Sequence, residues 1–193
     1  MNTKCLNKRG PQAGFTLIEL VAAMTIMMLT VTIAIPGMLD MVRNNRQSTS
    51  LNALSHSFYA ARSEAISRAQ GISLCPTSNF TSCSGGTTWQ SGWMIFTDAD
   101  RDGVVDSGVD SVLKVFNQLG GATTVTASNR VTYSAIGMVQ AGSGAMTLCD
   151  QRGVNSARGL RLATTGFVDY LQDTDGDKIV DDGAGSPTNV SCS

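Results

Sequence analysis

Histidine is nearly absent from this 193-residue chain, which has only His56, and charge is sparse, with 15% charged residues and a formal net charge of −1. A single histidine, with cysteines better suited to bridges than to attack, leaves no nucleophile–base pair to propose. No Cys-x-x-Cys pair is present, so the spacing that marks a zinc site is missing. No glycine-rich phosphate loop follows a strand-like run. The balance of 14 Lys and Arg against 15 Asp and Glu provides no broad basic surface for a nucleic-acid backbone. These absences argue against an enzyme and leave a structural or binding role.

Acidic residues are also missing from the first 18 positions, where Lys4, Lys8 and Arg9 stand alone. An apolar run follows, Phe15 to Ile35, in which Glu19 is the single formal charge, and Pro36 closes it. About 20 apolar residues can cross a bilayer as a helix, and basic residues ahead of them hold that end in the cytoplasm. A carboxylate costs about 2.5–3.5 kcal/mol at the centre of a bilayer and less near its surface, so Glu19 calls for a partner. An ordinary secretory signal would carry a small-residue cleavage site after the apolar core, and none precedes Pro36 convincingly.

A basic leader ending in Gly14, then Phe15-Thr16-Leu17-Ile18-Glu19 and an apolar helix, resembles the signal of type IV pilins and type II secretion pseudopilins. That resemblance implies cleavage by a prepilin peptidase after Gly14 and N-methylation of the new terminus at Phe15. It also implies that Glu19 pairs with the terminal amine of a neighbouring subunit. Glu19 lies one helical turn after Phe15, which suits a vertically staggered neighbour. The leader holds three of the basic residues and no acid, so the remainder carries a formal charge of −4.

Cleavage would remove Cys5 and leave Cys75, Cys83, Cys149 and Cys192, an even number that reads as two disulfides in an oxidising periplasm. Three pairings are open. We favour Cys75–Cys83, closing a Pro/Ser/Gly-rich loop, and Cys149–Cys192, tying the C-terminal tail to a strand.

Past Pro36 the pattern stays helical: Leu51, Leu54, Phe58, Ala61 and Ala65 recur at spacings of three and four. The expectation is one helix over residues 15–70, stopped by Gly71 and Pro76, with His56 on or beside its packed face. Eight short runs then read as strands: 72–75, 92–96, 112–116, 123–126, 130–133, 146–150, 159–163 and 167–171, separated by Gly, Ser, Asn and Asp. Strands this closely spaced favour antiparallel pairing. The expected fold class is α+β, a long N-terminal helix, membrane-spanning in its first half, on a head of short antiparallel strands. The divisions expected are a leader at 1–14, a membrane or filament-core helix at 15–35, its amphipathic continuation at 36–70 and the head at 71–193.

Trp89-Gln90-Ser91-Gly92-Trp93-Met94-Ile95-Phe96-Thr97-Asp98 is similar to a segment of the GspH/FimT family of minor pilins and pseudopilins. Leu148-Cys149-Asp150, Arg158-Gly159-Leu160-Arg161-Leu162 and Thr165-Gly166 resemble its closing strands. The resemblance implies a minor pilin of a type IV pilus, placed near the tip and helping to initiate assembly. Its partners would be other minor and major pilins, the prepilin peptidase and inner-membrane assembly machinery. The subunit would sit in the inner membrane with a cytoplasmic N-terminus and a periplasmic head, then move to the extracellular pilus. A GspH-like pseudopilin of type II secretion shares each of these features. A third possibility is a DNA-uptake or calcium-dependent adhesive subunit.

Two acidic stretches bear on that third possibility. Asp98, Asp100 and Asp102 alternate ahead of Gly103 and are followed by Asp106 and Asp110; Asp173, Asp175 and Asp177 are followed by Asp181 and Asp182. Oxygens at every second residue can converge on calcium, with Gly at position six allowing the turn. Position twelve should be Glu, yet it is Val109 in the first loop and Ala184 in the second, where Lys178 also replaces Gly. The simpler reading is that Asp-Gly tips connect strands and keep the head soluble, with no cofactor. For DNA, relatives that take it up have Gly-Arg-x-Arg where this chain has Gly166-Phe167-Val168-Asp169. Arg158 and Arg161, three positions apart on a strand, would face opposite sides, so nucleic acid is not an expected partner.

Overall fold

The computed structural model describes residues 14–120, 123–183 and 188–192. The leader before Gly14 and position twelve of the second acidic loop, Ala184, lie outside the described residues. The chain divides into two units between Arg43 and Asn44.

Helix α1 runs over Leu17–Arg68. Its start follows from Thr16-x-x-Glu19: the Glu19 amide donates to Thr16 Oγ1 at 3.3 Å, and the Thr16 amide reaches Glu19 Oε2 at 3.5 Å. That reciprocal pair is a capping box. Pro36 lies inside the helix, which is assigned continuously through it. Thr25, Thr30 and Thr32 return their hydroxyls to carbonyls one turn back, so these polar groups remain satisfied on an apolar rod. Every residue from Leu17 to Val42 is exposed.

The helix ends differently from the sequence expectation. Gln70 donates to the Ala65 carbonyl and Ala69 to that of Ile66, a Schellman closure with Ala69 at φ 51°. Alanine thus takes the left-handed position usually given to glycine. Gly71 is needed for another reason: a Cβ there would stand 2.1 Å from the Asp98 carbonyl oxygen.

The second unit, from Asn44, has two antiparallel sheets. β1 (Ile72–Pro76), β2 (Trp93–Thr97), β3 (Val112–Phe116), β5 (Val131–Tyr133) and β6 (Val139–Ala141) form one, in the order β3-β2-β1-β5-β6. β4 (Thr124–Thr126), β7 (Gly144–Cys149), β8 (Arg158–Leu162) and β9 (Val168–Tyr170) form the other, in the order β4-β7-β8-β9. Leu51, Leu54, Phe58, Ala61 and Ala65 pack with residues of both sheets in a single core. Trp89 is wholly buried there, its ring 6.1 Å from that of Phe58 and its indole N–H donating to the Ser128 carbonyl. His56 is exposed, a correction to its expected place: the packed stripe runs through Leu54, Phe58 and Ala61, and His56 projects from the other side of the helix. Strand β6 has no counterpart among the eight expected runs, being three residues between glycine turns at Gly137 and Gly142.

Candidate functional site

Gly14, Phe15 and Glu19 are all exposed at the start of the described chain. The Glu19 carboxylate turns back toward the residue-16 amide, the direction in which Phe15 lies. Beyond it the apolar side chains of the helix have no protein cover: Phe15 is 87% exposed, Met28 74% and Ile33 79%. A surface this apolar suits lipid or other helices, not water. This is one helix long and apolar enough to cross a membrane.

The head is fastened by two disulfides. Cys75 in β1 is bonded to Cys83, and Cys149 at the end of β7 to Cys192 near the C-terminus. Arg62 on the helix donates through Nε to the Gly137 carbonyl at 3.1 Å, and its guanidinium lies 4.4 Å from the centre of the Phe167 ring. One side chain therefore pins two sheet turns to the helix.

The motif Trp89–Asp98 is a delivery device. Trp89 fills the core, Gly92 turns the chain at φ 121°, and β2 carries it, wholly buried, to Asp98. Asp98 is itself fully buried. Its Oδ2 accepts from Ser73 Oγ at 2.5 Å and from the Gly103 amide at 3.1 Å, while Oδ1 is buried without a hydrogen-bond partner. Burial pushes the Asp98 carboxyl above the usual carboxylate range, against the lowering effect of Ser73 and Gly103. Ser73, from β1, also shares a 2.7 Å hydrogen bond with Thr132 of β5.

Of the first four candidate metal ligands, the structure brings three together. Oxygens of Asp98, Asp100 and Asp102 lie within 4.8 Å of one another. Asp106 is not part of that group. Its carboxyl is raised by desolvation and by the like charges of Asp102, Asp100 and Asp110. In the second loop Asp173, Asp175 and Asp177 likewise converge within 4.8 Å, and Asp181 stands apart, buried, with Oδ2 bound to the Thr174 amide and hydroxyl. Lys178 takes φ 74° although it is not glycine, and its amide donates to Asp173, as the amide of Gly103 does to Asp98. The Gly176 and Lys178 amides hold the Asp173 carboxyl below the usual range.

Arg152, Arg158 and Lys178 line one cavity, and Arg161 is not among its lining residues. Arg158 donates to Ser48 on the helix, and Arg161 stands opposite Asp169 in the neighbouring strand. Sequence reasoning missed Ser73 and Thr132, which nothing local links to Asp98.

An apolar helix opened by a Thr-x-x-Glu cap, with a disulfide-fastened head of antiparallel strands packed on its last turns, defines a subunit of the pilin and pseudopilin type. The chain belongs to the GspH family: residues 50–166, more than half of it, match the family described as type II transport protein GspH, and residues 9–35 match the prokaryotic N-terminal methylation motif. Among solved structures the chain is similar to the type IV minor pilin FimU of Pseudomonas aeruginosa strain PAO1, with 22% identity and a TM-score of 0.51 over 67% of this chain and 90% of that one. A second crystal form of that protein gives 20% identity and a TM-score of 0.48, over 65% and 92%. At such identities the likeness is one of fold. No curated protein sequence matches the chain.

Proposed function

We propose that this chain is a minor pilin of a type IV pilus, cut after Gly14, N-methylated on Phe15 and incorporated near the filament tip, where it helps initiate assembly. The observation that carries the reading is a helix that is exposed and apolar from Leu17 to Val42, except for the carboxylate of Glu19 near its start and Asp40 near its end. In the inner membrane such a helix holds the subunit with its head in the periplasm. In the filament the same surface packs against other pilins. Glu19 then meets the terminal amine of a neighbour, which answers the cost of a charge in an apolar setting. Motility and adhesion follow from the assembled pilus, not from chemistry on this head. Assembly of this kind needs no cofactor, and the calcium reading of the Asp98 loop stands apart from it.

The second reading, a GspH-like minor pseudopilin of a type II secretion system, is favoured by the description of the matching family. A deletion strain separates them: loss of twitching with intact exoprotein secretion supports the pilus, and the reverse supports the pseudopilin. Glu19→Ala tests the shared mechanism. It should insert and fold normally, yet fall at least tenfold in the filament fraction. Normal incorporation of that variant would contradict the pairing.

A further inference from the structure

We propose that the loop opened by Asp98 binds one calcium ion through carboxylate oxygens of Asp98, Asp100 and Asp102. The inference is independent of how the subunit assembles, and neither reading falls with the other. Alternating carboxylates alone would not carry it, because acidic turns are common on soluble heads. What sets this loop apart is that Asp98, one of its three convergent carboxylates, is itself buried. A fully buried carboxylate with one oxygen lacking any hydrogen-bond partner is costly. That cost disappears if the free oxygen faces a cation.

The rest of the environment is arranged to present it. Ser73 and the Gly103 amide both engage Oδ2, which fixes the carboxylate and leaves Oδ1 uncommitted. Ser73 is held in turn by Thr132, so two strands set the position of the first ligand. Gly71 admits the Asp98 carbonyl where any side chain would collide with it. Beneath the loop, Cys75, Met94 and Phe96 form a small buried cluster against which Cys83 and Val105 pack. The ligands thus sit on a rigid base, which lowers the entropy lost on binding.

Charge and distance agree. Among the described residues no lysine or arginine makes an ion pair with Asp98, Asp100 or Asp102, although the Arg130 side chain packs against Gly103 of the same loop. Asp100 and Asp102 are exposed, so an ion and its waters have access. Two oxygens on one calcium ion, each at about 2.3–2.6 Å, can stand up to about 5 Å apart. The oxygens of the three carboxylates lie within 4.8 Å of one another, inside that limit. Magnesium demands near-ideal octahedral geometry and dehydrates reluctantly, so an irregular carboxylate loop completed by water favours calcium. With Val109 where a bidentate glutamate would complete the shell, water must fill the remaining positions, which predicts weak, extracellular-type affinity.

The second acidic loop also has a buried carboxylate with an unpartnered oxygen, Asp181 Oδ1, but Asp181 stands outside its convergent trio. Both oxygens of Asp173 accept backbone amides, and the three convergent carboxylates are all exposed. This loop serves as the internal control.

The test uses the full chain in detergent micelles, stripped with a chelator and titrated with calcium by calorimetry and thermal unfolding. A single site with Kd of about 0.1–1 mM is expected, with a rise of several degrees in Tm at saturation and none at equal magnesium. Asp100→Asn and Asp102→Asn, both exposed, should unfold normally in chelator and weaken binding at least tenfold. Asp175→Asn should leave it within twofold. No heat and no Tm shift at about 10 mM calcium would overturn the proposal. So would affinity unchanged in the Asp100 and Asp102 variants, or lost in the Asp175 variant.

Discussion

Tyr133 shows what the fold tolerates at a single residue. It is fully buried in β5, and its hydroxyl has no hydrogen-bond partner. Burial pushes its ionisation far above the ordinary tyrosine value of about 10. The folded form therefore keeps the proton that the unfolded chain releases. Stability from this residue is complete below about pH 10 and is lost as pH rises beyond it. Tyr133→Phe should be neutral or stabilising by up to about 1 kcal/mol near neutrality, and should flatten the alkaline decline. Urea unfolding at neutral and alkaline pH checks both; a loss of about 2 kcal/mol or more would show that the hydroxyl has a partner. Residue-scale features divide sharply in how readable they are. The alternation of Asp98, Asp100 and Asp102 is visible in the sequence, whereas Ser73, which orients Asp98 from 25 residues away, is an ordinary strand serine until β1 and β2 are paired.

At the scale of elements, local signals are sufficient for local structure. Helical spacing at Leu51, Leu54, Phe58, Ala61 and Ala65 marks the buried face because that face alone packs, and eight strands are readable from alternation between turn residues. Partition of the strands into two sheets is not readable: β1 pairs with β5 across roughly sixty residues, and β4 leaves its sequence neighbours to pair with β7. Such pairings depend on the whole core and leave no local trace. Two fastenings can be tested here. Arg62→Lys keeps the charge but loses the planar fork that donates to Gly137 while covering Phe167, and should cost about 1–2 kcal/mol in denaturant unfolding. An unchanged midpoint would mean the contact contributes nothing. The disulfides span separations of 8 and 43 residues. In the chain-entropy account, opening Cys149–Cys192 by paired serine substitutions should therefore cost about 1.5 kcal/mol more than opening Cys75–Cys83. Equal losses in thermal unfolding would favour native-state packing around the shorter bridge instead.

The whole molecule joins a helix unsuited to water with a head that has its own core, and the division falls between Arg43 and Asn44. The sequence reading ends the membrane or filament-core span at residue 35 and expects the helix to go on; α1 does run through Pro36, and its buried residues begin at Gln47. Family membership accounts for this plan, and the proposed function assigns a role to each part. In that proposal Gly14 marks release from the leader, Phe15 and Glu19 set registration in the filament, and the head meets other minor pilins. All of these depend on where the processed chain begins. The most direct measurement is mass spectrometry of the protein recovered from sheared surface filaments. The account predicts a chain that starts at residue 15 with N-methylated phenylalanine; a chain that retains residues 1–14, or is cut elsewhere, would contradict it.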